Sequence, residues 1–160
     1  MEEEVPVEVG KIKIERSKIP TLFFSKKEKA TLIATIQKVE QNTSAEVRVH
    51  LDQHHNPNPF EEAQKIFEKL GMTATENRNG VLIFLGTKTR SFSVIGDTGI
   101  HQKVGSDFWD QIASILGNTF RQDLFAEGLV EAIEKIGEVL TLHFPATHTR
   151  NELPDEISYS

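Results

Sequence analysis

The apolar positions change period several times along the chain, and each change marks an element. Ala30, Ile33, Ile36 and Val39 recur at helical spacing, widened by Leu32. Ser25 and Glu28 stand just before them at capping-box spacing, where each side chain satisfies a free backbone N–H. "AEVRVHL" (45–51) then alternates as a strand, with Val47, Val49 and Leu51 on one face and Glu46, Arg48 and His50 on the other. After the loop "DQHHNPNP", Asn58 is placed to cap a helix that has Pro59 at its first position and Phe60, Ala63, Ile66, Phe67 and Leu70 on one face. Gly71 stops it.

"VLIFLG" (81–86) is continuously apolar, as a strand buried on both faces reads. "TKT" turns the chain into "RSFSVIG" (90–96), which predicts a hairpin. Two more helices follow, one carrying Phe108, Ile112, Ile115, Leu116 and Phe120, the other Phe125, Leu129, Ile133, Ile136, Leu140 and Phe144.

The predicted order is α, β, α, β, β, α, α. A helix joins the first two strands, so they are parallel neighbours with a right-handed crossover, and the third adds antiparallel. The expected fold is α/β: a three-layer αβα sandwich with a small mixed sheet of three or four strands and helices on both faces. Residues 1–22 read as an N-terminal arm or edge strand, because Gly10 breaks the phase between Val5, Val7, Val9 and Ile12, Ile14. Residues 23–145 form the domain, and 146–160 a polar, extended C-terminal tail.

Composition narrows the function. The 160 residues carry 24 acidic and 18 basic side chains, a net charge of −6, which disfavours nucleic acid and is compatible with cations. There is no cysteine, so disulfides and thiolate zinc sites are excluded. The acidic start has no signal-like apolar stretch and no run is long enough to span a membrane, so the expected location is cytoplasmic.

The topology brings the polar residues of three segments to one edge of the sheet: Glu46 at the start of the first strand, the loop Glu76, Asn77, Arg78, Asn79 before the second, and Asp97 to Asp110 after the third. Carboxylates gathered there suit calcium or magnesium, hard cations that take oxygen ligands. The metal candidates are Asp97, Glu46, Asp107 and Glu76; the catalytic candidates are Asp97 and Arg78. Local chemistry offers a plainer account of the same residues. Asp97-Thr98-Gly99 is a good turn sequence, Asp107 complements a helix dipole, Ser106 is a candidate cap and Asp110 a solvated helix residue. His50, His54 and His55 have no zinc-motif spacing and read as exposed or packing residues. Trp109 reads as core. Neither a nucleophile elbow nor a Gly-rich phosphate loop is present.

"TSAEVRVHL", "AQKIFEKLGM", "ENRNGVLIFL", "SVIGDTGIHQKVGSDFWDQI" and "FRQDLFAEGLVEAIEKIGEVL", in that order, resemble a TPM domain from about Lys26 to Pro145. The ending "NELPDEISY" resembles short bacterial members. The resemblance implies an αβα sandwich, calcium or magnesium binding at an acidic depression, and acid phosphatase activity on phosphomonoesters. By motif it points to Asp97 in "GDTG", Glu46 in "SAEVRV" and Asp107 in "SDFWD". Two readings stay open: a cation-dependent phosphatase, or a non-catalytic protein-interaction or scaffold module whose loops a cation orders.

Overall fold

The computed structural model describes residues 16–54, 57–146 and 157–160. The alternating valines and isoleucines before Arg16, His55, and the tail from 147 to 156 lie outside the described residues. The elements are α1 (Pro20–Phe23), α2 (Lys26–Gln41), β1 (Glu46–Asp52), α3 (Pro59–Lys69), β2 (Gly80–Gly86), β3 (Phe92–Gly96), α4 (Thr98–Arg121), α5 (Phe125–His143) and β4 (Ser158–Tyr159).

The sheet has the order β3-β2-β1-β4. β1 and β2 are parallel, with Glu46 opposite Gly80 and Asp52 opposite Gly86, and β3 returns antiparallel to β2. The parallel pairing of the first two strands and the hairpin are therefore as the sequence predicts. The fourth strand comes from the far end of the chain, where Ser158 and Tyr159 pair with His50 and Leu51 in parallel. The polar tail thus closes with a strand, and Ile157 beside it is buried.

The two faces are unequal. Val47, Val49, Leu51, Val81, Ile83 and Leu85 pack against α2, α4 and α5 in the main core. Leu82 and Phe84 meet Ala63, Ile66 and Phe67 of α3 and Met72 in a smaller one. The polar face of β1 is covered too: all seven of its residues are buried. His50 lies over Phe84, ring centroids 6.0 Å apart.

The caps behave as their sequence requires. Ser25 and Glu28 close a full capping box on α2, and the Asn58 side chain accepts from the Glu61 amide ahead of Pro59. Glu28 also takes both guanidinium nitrogens of Arg16 at 2.7 and 2.8 Å. Arg16 lies over the rings of Phe23, Phe24 and Phe125, fastening the start of the described chain to the core.

Besides the strand in the tail and the short helix α1 at the end of the expected arm, the start of α4 differs from expectation. The stretch after Asp97 is helical from Thr98, not a turn, and α4 is interrupted at Gly105, whose φ is 74°. Asp97 is the N-cap, its carboxylate accepting from the Thr98 amide at 2.7 Å. Asp, Thr and Gly serve a cap as well as a turn, so local sequence does not separate the two. Asp107 lies in the first turn after the break.

Candidate functional site

Three backbone segments meet at the N-terminal end of the two parallel strands. Ser44 leads into β1, Asn77 to Asn79 lead into β2, and Asp97 follows β3. The junction is tied by backbone bonds: the Asp97 amide donates to the Gly80 carbonyl at 2.9 Å, and the Gly99 amide to the Arg78 carbonyl at 2.8 Å. Gly99 permits this approach. A Cβ there would lie 2.0 Å from the Asn77 carbonyl oxygen and 2.8 Å from that of Arg78.

The central pair is Arg78 and Asp97. Nε of Arg78 donates to Oδ2 at 2.7 Å and Nη2 to Oδ1 at 2.9 Å, a bidentate fork. The carboxylate beside it raises the guanidinium pKa above its ordinary value. The partners differ in exposure: the Arg78 side chain is 48% exposed and that of Asp97 only 5%. A solvent-open cation therefore covers a buried anion. Arg78 also adopts a left-handed backbone, φ 49°, unusual for a residue with a Cβ.

Two further polar groups are buried at this edge. Glu46 is 3% exposed at the first position of β1, and Asn79 is 1% exposed. The Asn79 side-chain amide donates to Ser44 Oγ at 3.4 Å, and its Oδ1 has no hydrogen-bond partner among the described residues. Such an orphaned acceptor is costly unless something satisfies it. The sequence places Asn79 at this edge but not among the metal or catalytic candidates, since nothing local marks it as buried.

Of the sequence candidates, the structure brings Arg78 and Asp97 into contact and buries Glu46 at the neighbouring strand start. Glu76, Asp107 and Asp110 are exposed. Among the described residues, no three His, Cys, Asp or Glu side chains gather closely enough to hold a metal ion. The donors at hand are all oxygens, namely Asp97, Glu46 and the Asn79 carbonyl. They fit a hard cation in kind, with the remaining positions left to backbone carbonyls and water.

His50 and His54 stand at the other end of β1 from this junction. His50 is buried, with its ring nitrogens on the hydroxyls of Ser158 in the last strand and Ser160 just after it, and His54 pairs with Asp52. Trp109 packs partly buried against the main core, close enough that a Cβ on Gly96 would come within 2.3 Å of its ring. No described helix is long and apolar enough to cross a membrane.

The chain is similar to several solved structures. It is 37% identical to the BA42 protein of the psychrophilic bacterium Bizionia argentinensis, with a TM-score of 0.81 over 86% of this chain and 96% of that one. The N-terminal domain of the cg2496 protein of Corynebacterium glutamicum shares the fold at 14% identity, TM-score 0.61, over 81% of this chain and 82% of that one. The N-terminal domain of a P. gingivalis protein does so at 19% identity, TM-score 0.64, over 79% and 83%. No curated protein matches. The family model of the TPM domain matches residues 19–139, and with the fold and the 37% identical structure this establishes that the chain belongs to the TPM domain family.

Proposed function

We propose that this chain binds calcium or magnesium at the junction of Ser44–Glu46, Asn77–Gly80 and Gly96–Gly99, and that it hydrolyses phosphomonoesters there. The observation that carries this reading is the buried Asp97 carboxylate held by a half-exposed guanidinium. A site that already keeps a cation on a buried anion, and opens to solvent on the cation's side, can exchange that cation for another.

In this reading one Asp97 oxygen and Glu46 would hold the ion with the Asn79 carbonyl. Glu76 and Asp107, both exposed, would have to reach such an ion from the surface. A bound divalent ion supplies positive charge against phosphate oxygens and acidity to a water. The chain's own groups do the rest. Arg78 turns from Asp97 to two oxygens of the phosphate, for which its planar fork is equally suited. The other Asp97 oxygen, released from Arg78, would take the proton of the attacking water as the water oxygen bonds to phosphorus. That proton then goes to the ester oxygen as its bond to phosphorus breaks.

The Arg78–Asp97 pair also supports a second reading. It closes the β2 loop onto the start of α4, and Asp97 caps that helix as well. A cation competing for Asp97 would then reorder the loops and alter a protein-binding surface with no turnover.

A calcium titration followed residue by residue tests both. The largest shifts are expected at the amides of residues 44–46, 77–80 and 97–99. A flat titration in millimolar calcium rejects the cation site. Hydrolysis of phenyl phosphate in proportion to protein separates the first reading from the second.

A further inference from the structure

The opposite end of β1 carries a second built arrangement. Its outer edge is filled by residues 157–160, which are read on both faces. On the α3 side, His50 Nδ1 meets Ser158 Oγ at 2.7 Å and Nε2 meets Ser160 Oγ at 2.7 Å. The Ser160 hydroxyl also bonds the Asp52 carboxylate. On the α2 side, Ile157 is 5% exposed in the main core, and the Lys29 ammonium stands 5.8 Å from the centre of the Tyr159 ring. Main-chain bonds hold the segment between the two faces: the Ser160 amide donates to the Leu51 carbonyl at 2.8 Å, and the Gln53 amide to the Ser160 carbonyl at 3.1 Å.

The recognition has period two, as strand addition to a sheet edge requires. Serines occupy one set of alternate positions, and an aliphatic and an aromatic residue the other. The host side is specific. His50 is a buried histidine on a strand, only 2% exposed, and hydroxyls of this segment engage both its ring nitrogens. A neutral imidazole offers one donor and one acceptor, and a serine hydroxyl can answer either.

The docked piece is short. Two residues pair with β1, and ten residues, 147–156, separate it from Ala146. A segment joined to the domain by ten residues is held at a local concentration set by that connection.

We propose that the outer edge of β1 is a strand-docking groove for an apolar–Ser–aromatic–Ser segment. Residues 157–160 fill it in cis, and the same segment from a second copy of the chain fills it when the cis segment is withdrawn. The groove lies at the end of β1 remote from Glu46 and is independent of the cation site.

The test uses the full chain carrying Ser160→Pro, which removes both the amide bonded to Leu51 and the hydroxyl on His50. A peptide of residues 152–160 stands in for the second copy's segment. In the variant, the His50 ring signals are expected to move and the Gln53 amide to exchange faster. The peptide restores both saturably, and the same peptide with Ser158→Ala and Ser160→Ala does not. In the unchanged chain, the Gln53 amide is expected to exchange at least roughly tenfold faster than Ile83 in β2, because edge pairing opens locally. A variant with unaltered His50 and Gln53 signals, a peptide that fails to bind it, or equal protection at Gln53 and Ile83 overturns the proposal.

Discussion

Arg78 covers Asp97 from the solvent side, a half-exposed guanidinium forked onto a carboxylate that is itself almost wholly buried. The arginine therefore occupies the approach a divalent cation would take, and the two compete. Asp97→Asn keeps the helix cap, since Asn and Asp cap equally well, and removes only the charge. Calcium is expected to raise the melting temperature of the unchanged protein, and Asp97→Asn to abolish most of that rise. Arg78→Ala is expected to tighten calcium binding several-fold. Calorimetric titration checks both, and weaker binding in Arg78→Ala would show that the arginine supports the cation site instead of competing with it.

Turnover divides along the same pair. Phenyl phosphate hydrolysis is expected to vanish in Asp97→Asn. In Arg78→Lys it should fall chiefly through a raised KM, because lysine keeps the charge but loses the planar fork. Activity that survives Asp97→Asn removes that carboxylate from the chemistry.

Gly99 sets the spacing of the site. Its Cβ position falls 2.0 Å from a backbone carbonyl oxygen, which cannot rotate aside as a side chain could. Gly99→Ala is expected to cost about 1–3 kcal/mol and to push the 77–78 loop off the start of α4. Urea denaturation measures the first effect. Loss of the calcium-induced shifts at Asn77 and Arg78 measures the second.

What the sequence made legible was periodic or capped. The Ser25–Glu28 box, the Asn58-Pro59 start and the two strand patterns each follow from local chemistry, and the parallel crossover then brought Arg78 and Asp97 to one edge. What escaped it depended on distant partners. Asp97-Thr98-Gly99 reads equally as turn or cap until α4 is known to begin there. Gly99 looked like a turn glycine, yet the demand on it comes from a loop twenty residues earlier. Arg78 and Asp97 were both assigned to a ligand, and their sequence positions carry no sign that they bind each other. The strand at Ser158–Tyr159 is too short to have a readable period, and its host lies about a hundred residues away.

Acid should loosen the protein through His50. Burial is the main cause that pushes this imidazole down to about 4 from its ordinary 6.5; Asp52 opposes the shift, and Arg48 and Lys69 assist it. Because the folded value is depressed, the unfolded chain takes up a proton before the native one does. The stabilisation is complete above 6.5 and is lost as pH falls from there toward 4. Asp52 and Glu28 act in the same direction but only below their ordinary values of 3.8 and 4.5. At Asp52, burial works to raise the carboxyl, and the His54 amide and ring with the Ser160 hydroxyl outweigh it; at Glu28 the Arg16 fork is the main cause of the lowering. The interval from 6.5 to 4.5 thus isolates the histidine from both. A loss of roughly 2 kcal/mol is expected by the low end of the titration, once solvent screening is allowed for. His50→Gln keeps a neutral polar group facing both serines and has no proton to gain, so it should flatten the fall. Urea denaturation of the two proteins between pH 7.5 and 4.5 makes the comparison, and parallel curves would clear His50 of the acid sensitivity.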